Sequence, residues 1–412
     1  MNKKRGSYRT RRAGFSPWVL LAGLVIVLAI AGASALFGAT SLLPPPPPST
    51  PASGALQTGA PVTSLPRANV AQGEWYTVYF TLPSYPEKKE SRSGGVDRAI
   101  AADLERAQKT IDAAVFDFRL PSLVDGFARA AARGVRVRLV TDYAANRAAK
   151  DFTDAVDKME KAGVQVLRDQ RSSLMHNKFV VIDQRLLWTG SMNFTANDVY
   201  RNNNNMLRLA LPALIENYNA RFERLFQSRS ADAPGKEVPQ PRVTLANGVT
   251  LENYFSPTGG AAKAILDKLK SAQKSIRITA FTFTDTAMAD VLKAQAKAKV
   301  NVQGVFETRN NGASGAEFPG LKRAKLEVLE DGNCYILHSK TMVIDDRYVV
   351  TGSYNFTANA DKSNDENLLI IDDPELAQEY TTEFNRIYAQ AKNPTVCGAS
   401  NTLSDPGSGD EQ

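Results

Sequence analysis

Histidine and cysteine are almost missing from this chain: 412 residues carry two of each. So few ligands argue against a zinc module of clustered Cys and His, and against a disulfide-dense scaffold. A broadly basic surface is lacking too. The formal net charge is +7, but Lys3, Lys4, Arg5, Arg9, Arg11 and Arg12 supply six of those charges within the first twelve residues. The remainder is nearly balanced, so no strong polyanion-binding footprint is expected. From Ala13 to Pro66 there is no charged residue at all.

Within that uncharged stretch, Trp18 to Phe37 is almost continuously apolar, about the length a helix needs to cross a bilayer. Residues 1–14 then form a basic cytoplasmic tail and 15–38 a single-pass anchor. Residues 39–72, which carry the run Pro44 to Pro48, form an extended linker, with the rest of the chain extracytoplasmic. The alternative is a cleaved signal peptide and a secreted product, with Ala33-Ser34-Ala35 as the cleavage site. On the outer side Cys334 and Cys397 either bridge or stay as thiols. Residues 393–412 are rich in small polar residues and are expected to be disordered.

Between these ends the chain repeats itself. Ala107-Gln108-Lys109-Thr110-Ile111 matches Ala272-Gln273-Lys274-Ser275-Ile276, and Phe116 and Phe118 match Phe281 and Phe283 at the same offset. Each copy alternates strand and helix patterns, predicting an α/β fold of two pseudo-symmetric repeats, 73–232 and 249–392. Each is expected to be a mixed, largely parallel sheet flanked by helices. The segment 86–95 has no counterpart in the second copy and is expected to be a mobile loop.

Both histidines fall at equivalent places. The first copy reads Met175-His176-Asn177-Lys178-Phe179-Val180-Val181-Ile182-Asp183, the second Leu337-His338-Ser339-Lys340-Thr341-Met342-Val343-Ile344-Asp345. Gly190-Ser191-Met192-Asn193 and Gly352-Ser353-Tyr354-Asn355 follow, with Asn 17 residues after His in both. Residues two apart on a strand share a face, so each imidazole stands beside an ammonium. An imidazole can attack or carry a proton near neutral pH, and an ammonium suits phosphate oxygens. Ser191, Asn193, Ser353 and Asn355 are expected to add hydrogen bonds to the same oxygens.

The doubled H-x-K-(x)4-D and G-S-x-N pattern resembles the phospholipase D superfamily, in particular its compact branch of small endonucleases and cardiolipin hydrolases. The resemblance implies a phosphodiesterase that needs no metal or cofactor and builds one active site within one chain. One His attacks phosphorus to form a phosphohistidine; the other protonates the leaving alcohol, then activates water. It also implies that Asp183 and Asp345 are scaffold. Eleven residues beyond Asn355 stands Glu366, of the kind this family uses to hold its His; eleven beyond Asn193 stands Asn204. A carboxylate favours imidazolium. The expectation is therefore His338, held by Glu366, as general acid and base, and a neutral His176 as nucleophile. The substrate is left between a phospholipid head group and a nucleic acid, and hydrolysis is left open against phosphatidyl transfer. A binding module with a decayed site is disfavoured by the intact motifs.

Overall fold

The structure is a computed structural model that describes residues 60–228 and 238–398. The expected basic tail and membrane anchor lie outside the described residues. No helix among those described is long and apolar enough to cross a membrane.

Two eight-stranded sheets carry the fold. The first contains β1 (Ala68–Gln72), β2 (Tyr76–Thr81), β3 (Thr110–Val115), β4 (Arg136–Asp142), β5 (Gln165–Asp169), β6 (Lys178–Ile182), β7 (Leu186–Gly190) and β8 (Asn205–Leu209), ordered β1-β2-β8-β7-β6-β3-β4-β5. The second contains β9 (Arg242–Thr244), β10 (Thr250–Phe255), β11 (Ser275–Ala280), β12 (Asn301–Phe306), β13 (Glu327–Glu330), β14 (Thr341–Ile344), β15 (Tyr348–Gly352) and β16 (Asn367–Asp372). Its order, read from β9 to β13, repeats the first strand for strand.

The expectation of largely parallel sheets is corrected. Only β3–β4–β5 and β11–β12–β13 pair in parallel. These strands are joined by the crossover helices Pro121–Ala132, Lys150–Lys161, Thr286–Lys297 and Phe318–Arg323, and a parallel pair needs such a crossover. The other pairings are antiparallel. β6–β7 and β14–β15 are hairpins whose turns place Asp183, Gln184, Asp345 and Asp346 at φ between 52° and 56°. That conformation matches the strand twist of a tight hairpin. The linker expectation is also corrected at its end, because residues 68–72 form the edge strand β1.

Both faces of each sheet are covered, which explains strands such as Phe179-Val180-Val181-Ile182 with no polar alternation. On the outer face of the first sheet, helices Val96–Arg106 and Pro121–Ala132 cover Ile111, Val180 and Trp188. The inner faces of both sheets share one core, in which Val78, Phe179 and Leu187 join Leu251, Val343 and Leu369. Helix Pro212–Ser228 contributes Tyr218 and Phe222, and helix Pro374–Lys392 contributes Tyr380. This common core brings the two β6- and β14-type strands, and the motifs at their starts, to one interface.

Two further expectations are settled by position. Cys334 and Cys397 are disulfide-bonded, so residues 394–398 are tied to the loop that leads to His338. The last fourteen residues of the expected disordered tail lie outside the described residues. The segment 86–95 is not the loose loop expected. Its buried Glu87 accepts from Arg92 and Arg201, and the Glu87 N–H donates to Tyr335 Oη at 2.9 Å.

Candidate active site

His176 lies just before β6 and His338 just before β14, each in the loop that enters its strand. The backbone N–H preceding each ring is fixed by a buried carboxyl group at or just past the end of a parallel strand. Met175 N donates to Asp142 Oδ2 (3.0 Å) and Leu337 N to Glu307 Oε2 (2.7 Å). Burial raises both carboxyls above the usual carboxylate range; for Glu307 the charge of Asp331 adds to it and the value reaches about 8. Each imidazole also rests edge-on against a phenylalanine: Phe116 at 5.1 Å for His176 and Phe281 at 5.0 Å for His338.

The lysines turn back onto their own histidines. Lys178 Nζ donates to the His176 carbonyl (2.9 Å) and Lys340 Nζ to the His338 carbonyl (2.8 Å). Each ammonium also sits over the same phenylalanine ring that packs on its histidine. Both lysines are buried, so their charge acts in a medium where a phosphate oxygen is attracted far more strongly than in water.

The partners of the imidazoles are exchanged between repeats, which corrects the expected pairing. Glu366 does not hold His338. His176 Nδ1–H donates to Glu366 Oε2 at 2.7 Å, across 190 residues of chain. Ser353 Oγ donates to the same oxygen (2.6 Å), and Asn364 Nδ2 donates to the other (3.2 Å). His338 instead donates from Nδ1 to Asn204 Oδ1 at 2.9 Å, and Asp198 Oδ1 stands 3.1 Å from the same nitrogen. The cause lies in the backbone. His338 N donates to Asn203 O and Asp365 N to Leu174 O, so the stretch after each G-S-x-N pairs with the histidine loop of the opposite repeat.

Ser191 and Ser353 are also reassigned from phosphate contact. Ser191 Oγ donates to Asn204 Oδ1 (2.8 Å) and accepts from Asn205 N (3.1 Å). Ser353 accepts from Asn367 N (3.0 Å) while donating to Glu366. Each hydroxyl proton is thus spent on the group that holds an imidazole. Asn193 and Asn355 are buried where the chain leaves β7 and β15. Asp183 sits away from these rings, accepting from the backbone N–H groups of Gln108, Lys109 and Thr110. Asp345 does the same for Gln273, Lys274 and Ser275. Burial would raise the Asp345 carboxyl, but those three donors outweigh it and hold it below the usual range.

Asp198 was not anticipated from the sequence. Nothing repeats it: the place that corresponds in the second copy, at the offset relating Asn193 to Asn355, holds Ala360. Among the described residues no three His, Cys, Asp or Glu side chains gather as a metal-binding group.

The sequence family described as "Cardiolipin synthase, PLD-like domain" matches residues 100–226 and 265–388, one match in each repeat. "Phospholipase D" of Rickettsia bellii (strain RML369-C) is 34% identical over 155 residues, 37% of this chain and 77% of that protein. "Mitochondrial cardiolipin hydrolase" of Xenopus tropicalis is 37% identical over 128 residues, 30% of this chain and 58% of that protein. The solved structure of phosphatidylserine synthase from Haemophilus influenzae Rd KW20 has a similar fold, with TM-score 0.56 at 15% identity, over 79% of this chain and 89% of that one.

Proposed function

The chain belongs to the phospholipase D superfamily, and on that premise we propose that it hydrolyses the phosphodiester of a phospholipid head group through a phosphohistidine. One observation carries the reading: each of two buried imidazoles stands on a lysine-bearing motif of one repeat and is held at Nδ1 by side chains of the other. A donor hydrogen bond at Nδ1 makes Nε2 the basic nitrogen of each neutral ring.

His176 is the nucleophile in this reading. His176 is not the ring without a carboxylate that was expected: attack places positive charge on it, and Glu366 stabilises that charge. His176 Nε2 bonds to phosphorus as the bond to the leaving alcohol breaks, and His338 gives that alcohol its proton. His338 then takes a proton from water, whose oxygen attacks phosphorus and frees His176. Lys178 and Lys340 neutralise the phosphoryl oxygens throughout, with Asn193 and Asn355 as further donors.

A lipid is favoured over a polynucleotide because Arg133, Arg136 and Arg138, the basic residues around the start of β4 that could track a polyanion, are neutralised within the fold. Arg133 pairs with Glu105, Arg136 with Asp112, and Arg138 with Asp112 and Glu223. Membrane attachment through residues 15–38, with the repeats extracytoplasmic, belongs to the same proposal; the Cys334–Cys397 disulfide supports an oxidising location. The test is the full chain in detergent micelles, with EDTA, assayed on phospholipid vesicles and on single-stranded DNA. Head-group release is expected from the vesicles. Cleavage of DNA alone would make it a nuclease, and head-group exchange with added alcohol but no hydrolysis would make it a phosphatidyltransferase. Activity only with a divalent ion would remove the two-histidine mechanism.

A further inference from the structure

The two positioning sets differ in a way that the repeat itself exposes. Around His176 the set is Ser353 and Glu366, with Ala360 six residues before Glu366. Around His338 the corresponding places hold Ser191, Asn204 and Asp198. A carboxylate is lost where Glu366 has its counterpart and gained where Ala360 has its counterpart. We infer that Asp198 is the positioning carboxylate of His338, doing from helix Ala196–Tyr200 what Glu366 does for His176 from the residue before β16.

The side chain is built for that task. Asp198 is buried, and its Oδ1 lies 3.1 Å from His338 Nδ1 while accepting from Asn204 Nδ2 at 2.8 Å. Its Oδ2 accepts from Thr195 Oγ1 at 2.9 Å, and its own N–H returns to that hydroxyl at 3.1 Å. Burial works to raise this carboxyl, yet the charge that His338 carries when protonated and the bonds from His338, Asn204 and Thr195 hold it below the usual range. Asn204 therefore does not mark a decayed half-site. Its amide accepts from the imidazole with one end and donates to Asp198 with the other, so ring, amide and carboxylate form one closed set. A carboxylate beside Nδ1 stabilises the imidazolium that His338 must be in order to protonate a leaving alcohol, and an amide alone does not.

This inference rests on the proposed hydrolysis for its catalytic meaning, but its test has a readout that does not. The chain has only two histidines, so selective ¹⁵N labelling of the full chain, with a tag free of histidine, gives two imidazole Nδ1–H resonances. Asp198→Asn should displace the His338 resonance and leave the His176 one in place; Glu366→Gln should do the reverse. Hydrolysis of bis(p-nitrophenyl) phosphate and of phospholipid should fall in Asp198→Asn, by about 10²-fold where alkoxide departure is slow. The double variant Asp198→Ala with Asn204→Glu recreates the His176 set around His338. It should recover activity to within a few-fold of the parent while Asp198→Ala alone does not. An unmoved His338 resonance in Asp198→Asn, or a double variant no better than Asp198→Ala, overturns the inference. Should Asp198→Ala fail to fold, the Asp198→Asn spectrum decides alone. A parent protein that hydrolyses neither substrate, yet shows the expected pair of displacements, supports the Asp198 couple and refutes only the proposed hydrolysis.

Discussion

Replacing Glu366 by Gln separates the exchanged pairing from the one that sequence reasoning suggests. The substitution keeps an acceptor for His176 Nδ1–H, now at 2.7 Å, and for Ser353 Oγ, now at 2.6 Å, so ring orientation should survive. What it removes is a full negative charge beside an imidazole that turns positive on attacking phosphorus. At a separation of about 4 Å and an effective dielectric near 20, that attraction is about 4 kcal/mol for a fully formed charge. With about half the charge developed in the transition state, about 2 kcal/mol is lost, which is about 30-fold in rate. The assay is rapid-quench hydrolysis of bis(p-nitrophenyl) phosphate, in which release of the first p-nitrophenol reports attack on phosphorus. That leaving group needs little protonation, so a residue serving the acid would barely affect the burst. Slowing of the burst by about 30-fold is expected. An intact burst, with loss confined to phospholipids with poor leaving groups, would show that Glu366 serves the acid step and that His176 is not the nucleophile.

Three further outcomes follow from packing and charge. Cys397→Ser opens a bridge spanning 63 residues, for which loop closure predicts a loss of about 4 kcal/mol, measurable as a lower midpoint in urea under oxidising conditions. Asp365, fully buried, neutralises both Arg171 and the buried Arg221, so Asp365→Asn should cost about 3–5 kcal/mol in the same experiment; a change under 1 kcal/mol would mean the pair contributes little. Glu307, pushed up to about 8 by burial and by Asp331, keeps its proton in the folded protein at pH values where the unfolded chain, ordinary value 4.5, has lost it. The unfolded state then binds fewer protons, so stability falls as pH rises from about 4.5 to 8. Glu307→Gln should flatten that fall between pH 5 and 8, and an unchanged slope would assign it to other groups.

How much of this was legible depended on sequence distance. The repeats, the paired His and Lys, and the apolar β6 and β14 strands are written in spacings of a few residues. Strand direction was misjudged because strand–helix alternation is only half of each repeat; β6, β7 and β8 are joined without crossover helices, so they run antiparallel. Strand β1 was lost in the linker because Ala-Asn-Val-Ala-Gln, at the sheet edge, has little apolar alternation. The residue type of Ser191 and Ser353 allows a phosphate contact; only their partners in the fold show the hydroxyls already engaged. The partners of the histidines lie 190 and 134 residues away, and no local pattern says which repeat a carboxylate will face.

That exchange has a consequence for how the two halves can diverge. Each histidine loop is backed by the opposite repeat: Leu174 and Lys178 by Asp365 and Asn367, and Ile336 and His338 by Asn203. The Nδ1 partners of each imidazole thus come from the opposite repeat, and a substitution after one G-S-x-N alters the histidine of the other. In an assembly of two identical repeats, Glu at the place of Asn204 and Glu366 would be forced on both sites together. Joined in one chain, the copies are free to differ, and here the carboxylate facing His338 is Asp198, six residues before Asn204, while the one facing His176 is Glu366. Glu366 bonds its ring directly, whereas Asp198 shares its ring with the Asn204 amide. A direct carboxylate suits a ring that carries positive charge through the life of a phosphohistidine. A ring shared between amide and carboxylate suits one that must give up its proton and take it back within each turnover. The unequal partners thus favour unequal roles, with attack at His176 and proton transfer at His338.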